Sequence, residues 1–197
     1  INGCLDTASI SVQVDQLPNV VASSVFNSIC LGDSVLISAS GALNYQWGNG
    51  VQISNQYVSP TTIGNNSYIV TGSDVNSCSN SDTVNILVNS LPIAQVSASD
   101  TNICINDTIT LLSSAASNYQ WNNGSTSQSQ TLILGNAGTT IFTVTIFDNN
   151  SCSATDSVIV NVNNNPTISV SANNNNICIG ESVTLSATGA INYLWDN

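Results

Sequence analysis

The sequence predicts an all-β fold made of tandem β-sandwich repeats, and three observations support this prediction. The stretch 29–35 recurs as 103–109 and as 177–183, and its cysteines step by 74 residues each time (104 − 30 = 74 and 178 − 104 = 74). Apolar and polar residues alternate with a period of two along most of the chain, which is typical of half-buried strands. No segment carries the 3.6-residue apolar stripe of an amphipathic helix. We therefore expect each repeat to be one small unit of short strands.

The same step predicts the domain organisation. Pro18, Pro92 and Pro166 keep it (92 − 18 = 74 and 166 − 92 = 74) and mark the junctions. Complete repeats are predicted at 19–92 and 93–166, with the C-terminal end of a preceding repeat at 1–18 and the N-terminal part of a further repeat at 167–197. Because loop lengths do not change between repeats, we expect neighbouring units to pack head to tail as a rod.

Within the repeat 93–166, alternation and turn residues predict the strands in chain order. A first strand at 93–98 is followed by a connection at 99–107, strands at 108–113, 118–122, 129–134 and 140–147, a loop at 148–154, and a last strand at 156–162. Six or seven short strands with one tryptophan on the third are typical of a small β-sandwich. A lone tryptophan at this place packs in the core, which predicts core positions for Trp47, Trp121 and Trp195.

The charge balance excludes several classes of function. The chain has no Lys, Arg or His, and its 11 acidic residues give a net charge of −11. Binding to nucleic acid or to anionic membranes needs basic side chains, so neither is expected. Nucleophilic catalysis through Ser and His, or a Lys base, is equally impossible, and the acids lie in turns; we expect no enzyme. No apolar run is long enough to span a membrane, so no membrane insertion of this segment is predicted.

The six cysteines favour disulfides in an extracellular, oxidising compartment over zinc, because there is no His and no CxxC pair. Two pairings remain open. Within one repeat, Cys30 would pair with Cys78 and Cys104 with Cys152. However, these residues are predicted at opposite ends of a sandwich, roughly 20–25 Å apart, whereas a disulfide needs Cα atoms within about 7 Å. The pair Cys30–Cys152, which joins successive repeats, is therefore favoured, and free thiols are the third alternative.

The acidic residues also recur at fixed positions, which suggests a metal site. Head-to-tail stacking would bring Asp33 near Asp148 and Asp156, whose oxygens could hold Ca²⁺ between repeats. The alternative is that short acids open strands and cap turns. No other cofactor is expected.

The repeat motif itself resembles a known group. The pattern I-C-x-G-[DE]-S-V-x-L-S-A-x-G-A-x-N-Y-x-W, followed by [YF]-x-V-T-x-x-D-x-x-x-C-S, resembles the immunoglobulin-like and PKD-like repeats of giant surface proteins in Bacteroidota. The middle repeat departs from it at Asn106, Thr108 and Ile109, which keep the strand character. The resemblance implies export by type IX secretion and a place at the cell surface in a stalk, filament or adhesin, some of which serve gliding motility.

A second resemblance concerns modification. Five segments read Asp, then Ser or Thr, then an apolar residue, which is similar to the O-glycosylation motif of exported Bacteroidota proteins. It would place sugars on Thr7, Ser34, Thr83, Thr108 and Ser157. The alternative is that this triplet merely opens a strand.

Together these features predict a structural segment of a long extracellular fibre or adhesin stalk, which gives mechanical reach and display. Its partners would be neighbouring identical repeats. The alternative is an adhesive module that binds carbohydrate, such as surface polysaccharide or glycans. Near-identical repeats favour the structural role, because a dedicated binding site should make the loops of one repeat deviate.

Overall fold

The computed structural model describes residues 3 and 6–196 and shows an all-β protein. These residues form sixteen strands and no helix. Accordingly, the described residues contain no long apolar helix of the kind that crosses a membrane. The chain divides into two compact units, one made of Ile1–Pro92 with Phe147–Ser153 and the other of Ile93–Ile146 with Ala154–Asn197.

The first unit contains two facing sheets. Its strands are β1 (Val21–Ser24), β2 (Ser28–Cys30), β3 (Val35–Ser40), β4 (Asn44–Trp47), β5 (Asn55–Val58), β6 (Gly64–Ser73) and β7 (Ser79–Asn89). One sheet has the order β1-β3-β5 and the other the order β2-β7-β6-β4. Neighbours are antiparallel except β2, which runs parallel to the end of β7 with Cys30 opposite Asn89. This is an immunoglobulin-like β-sandwich.

The core of the first unit follows from the alternation of apolar residues. Since side chains of a strand point alternately to opposite faces, the apolar set of each strand lies on one face. The two sheets bury these faces against each other, with Ile37 of β3, Val70 of β6 and Ile86 of β7 all 0% exposed. Trp47 of β4 is 2% exposed, and its Nε1–H donates to the Ile53 carbonyl at 2.9 Å, which satisfies the polar atom of the buried ring.

The second unit repeats this arrangement. Its strands are β8 (Val96–Ala98), β9 (Asn102–Cys104), β10 (Thr108–Ser113), β11 (Asn118–Trp121), β12 (Ser129–Ile133), β13 (Gly138–Phe147) and β14 (Ser153–Asn163). The sheets have the orders β8-β10-β12 and β9-β14-β13-β11, and Trp121 is again buried at 2% exposure. β9 lies in what the sequence predicts as a connection: it runs parallel to the end of β14, with Cys104 opposite Asn163.

The structure does not show the predicted core position of Trp195, which stays a prediction. Among the described residues after 166, the strands are the antiparallel pair β15 (Ser169–Ala172) and β16 (Leu185–Thr188), and Trp195 is 45% exposed. Trp47 is covered because β6 and β7 complete its sheet.

One tyrosine in each repeat fixes the turn that precedes the tryptophan. The Tyr45 hydroxyl donates to the Ala42 carbonyl at 2.8 Å and accepts the Ala42 N–H at 3.0 Å. Tyr119 with Ala116, and Tyr193 with Ala190, make the same two bonds. The turn therefore forms locally, even beside the exposed Trp195.

The two complete repeats fill one core position in different ways. Gly72 in the first repeat corresponds to Ile146 in the second (146 − 72 = 74), and Val20 corresponds to Ala94 (94 − 20 = 74). A Cβ on Gly72 would lie 2.7 Å from the Val20 Cγ2 and 2.6 Å from the Ala42 Cβ. In each repeat a large residue at one of the two sites is therefore matched by a small residue at the other, because a core tolerates substitutions best when its total side-chain volume is unchanged.

We expect Gly72→Ala to destabilise the first unit by about 1–3 kcal/mol through overpacking. Val20→Ala alone also destabilises it, by leaving a cavity. The double variant should lose less free energy of unfolding than the two single variants lose together, by at least about 0.5 kcal/mol, as is usual for residues in contact. Urea unfolding of the four proteins of this cycle measures the coupling, and strictly additive losses would contradict the described contact.

Candidate functional site: the disulfide and its acid-capped turns

Cys30 lies in a tight turn that an acidic side chain closes. The Cys30 N–H donates to Asp33 Oδ2 at 3.2 Å, and the Asp33 N–H donates back to the Cys30 carbonyl at 3.0 Å. Gly32 takes the positive φ of 97° that the turn requires. Because β2 pairs with the end of β7, this turn, residues 30–33, is placed at one end of the sandwich. We call it the strand-end turn.

Cys152 lies in the loop between β13 and β14, which a second acidic side chain organises. Asp148 Oδ1 accepts the N–H groups of Asn150 and Cys152, both at 2.8 Å, and the Asp148 N–H donates to the Cys152 carbonyl at 3.0 Å. Ser151 adopts a φ of 65°. Asp suits this loop because its short side chain reaches the main-chain N–H groups of the residues that follow it. We call residues 148–152 the hairpin loop.

A disulfide joins these two elements. Cys30 and Cys152 are bonded, with Cα atoms 5.5 Å apart and a sequence separation of 122 residues. Cys152 is 1% exposed. The two cysteines belong to successive 74-residue repeats, and the hairpin loop is part of the first compact unit, which includes Phe147–Ser153.

Pairing within a repeat is not found. Cys78 and Cys104, which it would require, are free thiols. In the first repeat Cys30 lies opposite Asn89 at the end of β7, whereas Cys78 directly precedes its first residue, Ser79. The 11 residues of β7 cover roughly 36 Å at about 3.3 Å per residue. That distance is far beyond the ~7 Å limit for the Cα atoms of a disulfide.

The disulfide constrains the unfolded chain strongly. A closed loop of 122 residues removes conformational entropy equivalent to about 5 kcal/mol at room temperature in the chain-entropy account. No local cap or single core contact in this fold is expected to contribute as much.

We expect Cys30→Ser to lower the free energy of unfolding by about 2–5 kcal/mol, because it removes this constraint. Cys104→Ser is the matched control: it changes the same position of the next repeat but breaks no disulfide. Its loss should stay below about 1 kcal/mol. Urea unfolding without reductant compares the two variants. Equal losses would show that the disulfide does not stabilise the fold.

The other cysteines differ in their surroundings. Cys78 and Cys104 are half-buried and Cys178 is exposed, while Cys4 lies outside the described residues. Partial burial raises the pKa of the Cys78 thiol, and the nearby carboxylates of Asp74 and Asp15 raise it further. The thiolate of Cys78 is therefore disfavoured near neutral pH, and its reactions should speed up as the pH rises.

The structure does not gather the carboxylates proposed to hold Ca²⁺. Among the described residues no group of three or more His, Cys, Asp or Glu side chains is placed to hold a metal ion. Asp33 and Asp148 cap their own turns, and Asp156 Oδ2 accepts the Val96 N–H at 2.8 Å. The capping alternative therefore describes Asp33 and Asp148, whereas Asp156 lies inside β14 and bonds to the edge strand β8.

Asp82 connects the two sheets of the first unit. It lies on β7, and its Oδ2 accepts the Ala22 N–H of edge strand β1 at 2.7 Å. The hydrogen bonds from the main-chain N–H groups of Ala22 and then Thr83 lower the pKa of the Asp82 carboxyl. Asp156 repeats the contact in the second unit. These side chains occupy donors that an exposed sheet edge would otherwise offer to other chains.

The lowered pKa of Asp82 predicts a pH dependence of stability. A carboxyl with a depressed folded-state pKa stabilises the fold above its unfolded-state value of about 3.9, and this contribution is lost as the pH falls through the folded-state pKa. We expect Asp82→Asn to be less stable than the wild type at pH 7 and to lose less stability on acidification below pH ~4. Urea unfolding at several pH values tests this. Parallel profiles for the two proteins would contradict it.

The five hydroxyls proposed for O-glycosylation are all exposed: Thr7, Ser34, Thr83, Thr108 and Ser157. Ser34 directly precedes β3 and Thr108 begins β10, as the strand-opening alternative requires. Thr83 and Ser157 lie inside β7 and β14, so that alternative does not cover them.

Sequence reasoning missed the role of the acids next to the cysteines. Asp33 lies three residues after Cys30, and Asp148 lies four residues before Cys152; both offsets recur with the 74-residue step, at Asp107 and Asp74. This constant offset in the sequence could have indicated that the acidic side chains position the cysteines.

Comparisons with known proteins find partial structural similarity, at TM-scores below 0.5. No family model matches the chain, and neither does any curated protein. Similar solved structures include the fibronectin(III)-like modules of Clostridium thermocellum CbhA, with a TM-score of 0.38, 13% identity, and coverage of 73% of this chain and 95% of that chain. Murine CEACAM1b gives a TM-score of 0.36 at 12% identity, covering 73% of this chain and 100% of the other. A Ca²⁺-stabilised adhesin of an Antarctic bacterium gives 0.43 at 13% identity, and covers 80% of this chain and 52% of that chain.

Proposed function

We propose that this chain is a structural segment of a long extracellular surface fibre or adhesin stalk, in which disulfides join successive repeats. The observation that carries the proposal is the Cys30–Cys152 bond, since its two cysteines belong to neighbouring 74-residue repeats. Such bonds persist in oxidising surroundings outside the cytoplasm. The function is mechanical reach and display, without a catalytic step.

The disulfide would change how the chain carries tension. When the two ends are pulled, the load passes from Cys30 to Cys152 through the sulfur atoms, and the residues between them are not stretched. This shielded segment contains β3 to β13, with Ile37, Trp47 and Trp121 of the two cores. A stalk built in this way would yield little length before its covalent bonds break.

The composition supports an exposed setting. The chain has no Lys or Arg, so proteases that cut after basic residues find no site. Many exposed positions carry Ser, Thr or Asn, and several of these side chains bond across strands, as Thr71 with Ser81 and Thr145 with Thr155 do, both at 2.9 Å. A surface of this kind is hydrated without carrying positive charge.

The proposals about host, export and modification rest on the sequence resemblance. On that basis we propose a Bacteroidota host, export by type IX secretion, a role with gliding-type adhesins, and neighbouring identical repeats as partners. O-glycosylation of the five exposed hydroxyls belongs to the same proposal, and intact-mass measurement of the native protein would detect it.

Stretching single molecules by their ends tests the mechanical proposal. A fully extended chain of 197 residues measures about 70 nm at ~3.6 Å per residue. With 122 residues outside the force path, 197 − 122 = 75 residues remain, or about 27 nm. We therefore expect an extension near 27 nm without reductant and near 70 nm with it.

The Cys30→Ser variant is the control, and it should extend to about 70 nm under both conditions. An extension near 70 nm for the oxidised wild-type chain would contradict the load-bearing role of the disulfide.

A further inference from the structure

Two free cysteines lie in the same local surroundings as the bonded pair. Cys104 corresponds to Cys30: it ends β9 opposite Asn163, and its N–H donates to Asp107 Oδ2 at 2.9 Å. The Asp107 N–H donates back to the Cys104 carbonyl at 3.1 Å. The second unit thus carries its own strand-end turn, at residues 104–107.

Cys78 corresponds in the same way to Cys152. Its N–H donates to Asp74 Oδ1 at 2.9 Å, and the Asp74 N–H donates to the Cys78 carbonyl at 3.0 Å. Ser77 has a φ of 65°, identical to that of Ser151. Residues 74–78 therefore form a second hairpin loop with the geometry of the one at 148–152.

These matches show that both turns form without the disulfide. The hydrogen bonds of the free pair agree with those of the bonded pair to within 0.3 Å (3.2 against 2.9 Å for the strand-end turns, 2.8 against 2.9 Å for the hairpin loops). Burial differs only between the hairpin-loop cysteines: bonded Cys152 is 1% exposed, whereas free Cys78 is half-buried, and Cys30 and Cys104 are both half-buried. The acidic side chains therefore preorganise both halves before they meet.

We propose that Cys104 of one copy of this chain forms a disulfide with Cys78 of a second copy, as Cys30 does with Cys152 inside the chain. This inference deepens the proposed function and rests on it. Each copy carries one free cysteine in a hairpin loop, Cys78, and free cysteines in two acid-capped turns, Cys104 and Cys178. Of these two turns only that of Cys104 ends a paired strand, as the turn of Cys30 does, so the contact is head to tail and can continue from copy to copy. The partner of the strand-end turn 104–107 is thus the hairpin loop 74–78 of another copy.

The oxidation needs an acceptor for two electrons, and oxidised glutathione supplies it. The thiolate of one cysteine attacks a glutathione sulfur, which forms a mixed disulfide and releases one reduced glutathione. The thiolate of the other cysteine then attacks the protein sulfur of that mixed disulfide and releases the second reduced glutathione. Two thiols lose two protons, one protein disulfide forms, and one oxidised glutathione becomes two reduced molecules.

Mixing two single variants tests the pairing. The full chain carries Cys4→Ser and Cys178→Ser throughout, so that Cys78 and Cys104 are the only thiols outside the Cys30–Cys152 pair. Under a glutathione redox buffer, this parent should form a ladder of disulfide-linked multimers. Cys78→Ser alone and Cys104→Ser alone should stay monomeric. Their equimolar mixture should give only a dimer with one copy of each, identified by isotope labelling of one variant.

Several outcomes would overturn the proposal. Dimers in either variant alone would show unspecific oxidation, and a monomeric mixture under conditions that keep Cys30–Cys152 oxidised would show that the two turns do not meet between copies. A Cys78–Cys104 bond inside one chain would also contradict it. The stretching measurement reports on Cys30–Cys152 independently, so a failure here is distinguishable from a failure of the mechanical proposal.

Discussion

The proposed load-bearing role depends on one constraint, the disulfide between Cys30 and Cys152. It forms because β2 places one cysteine at the end of a sandwich where β7 ends, while the hairpin loop places the other just before β14 begins. Neither position lies mid-strand in the core. A sandwich of this topology therefore has its two cysteines at opposite ends. Each cysteine is placed to bond with a cysteine of a neighbouring repeat rather than with the other cysteine of its own repeat.

The positioning of both cysteines follows from the unusual charge composition. With no Lys, Arg or His in the chain, a carboxylate has no cationic side chain to pair with. The acids bind main-chain N–H groups instead: Asp33, Asp107 and Glu181 accept from Cys30, Cys104 and Cys178, and Asp74 and Asp148 accept from Cys78 and Cys152. Charged acceptors make stronger hydrogen bonds than neutral ones, so these caps hold the cysteines in defined places.

Much of the fold could be predicted because alternation and the 74-residue step are properties of the sequence itself. The strand Thr108–Ser113 was predicted with its observed bounds. The strand Asn102–Cys104 was missed, since three residues are too few to show alternation and its pairing with the distant β14 is tertiary. The burial of a tryptophan cannot be read from its local motif, since Trp47 and Trp195 share that motif but are 2% and 45% exposed. Residue spacing likewise does not reveal that Asp33 and Asp148 bond to their own turns and that Asp156 bonds to Val96, so the described carboxylates form no group that could hold a metal ion.

Disulfide mapping after cleavage before aspartate tests the central claim most directly. Because the chain has Asp but no Lys or Arg, such cleavage places Cys30, Cys78, Cys104 and Cys152 in four separate peptides, 15–32, 74–81, 100–106 and 148–155. Under non-reducing conditions we expect peptide 15–32 to be linked to 148–155 and released from it by reductant. A link between 15–32 and 74–81, or between 100–106 and 148–155, would contradict the account.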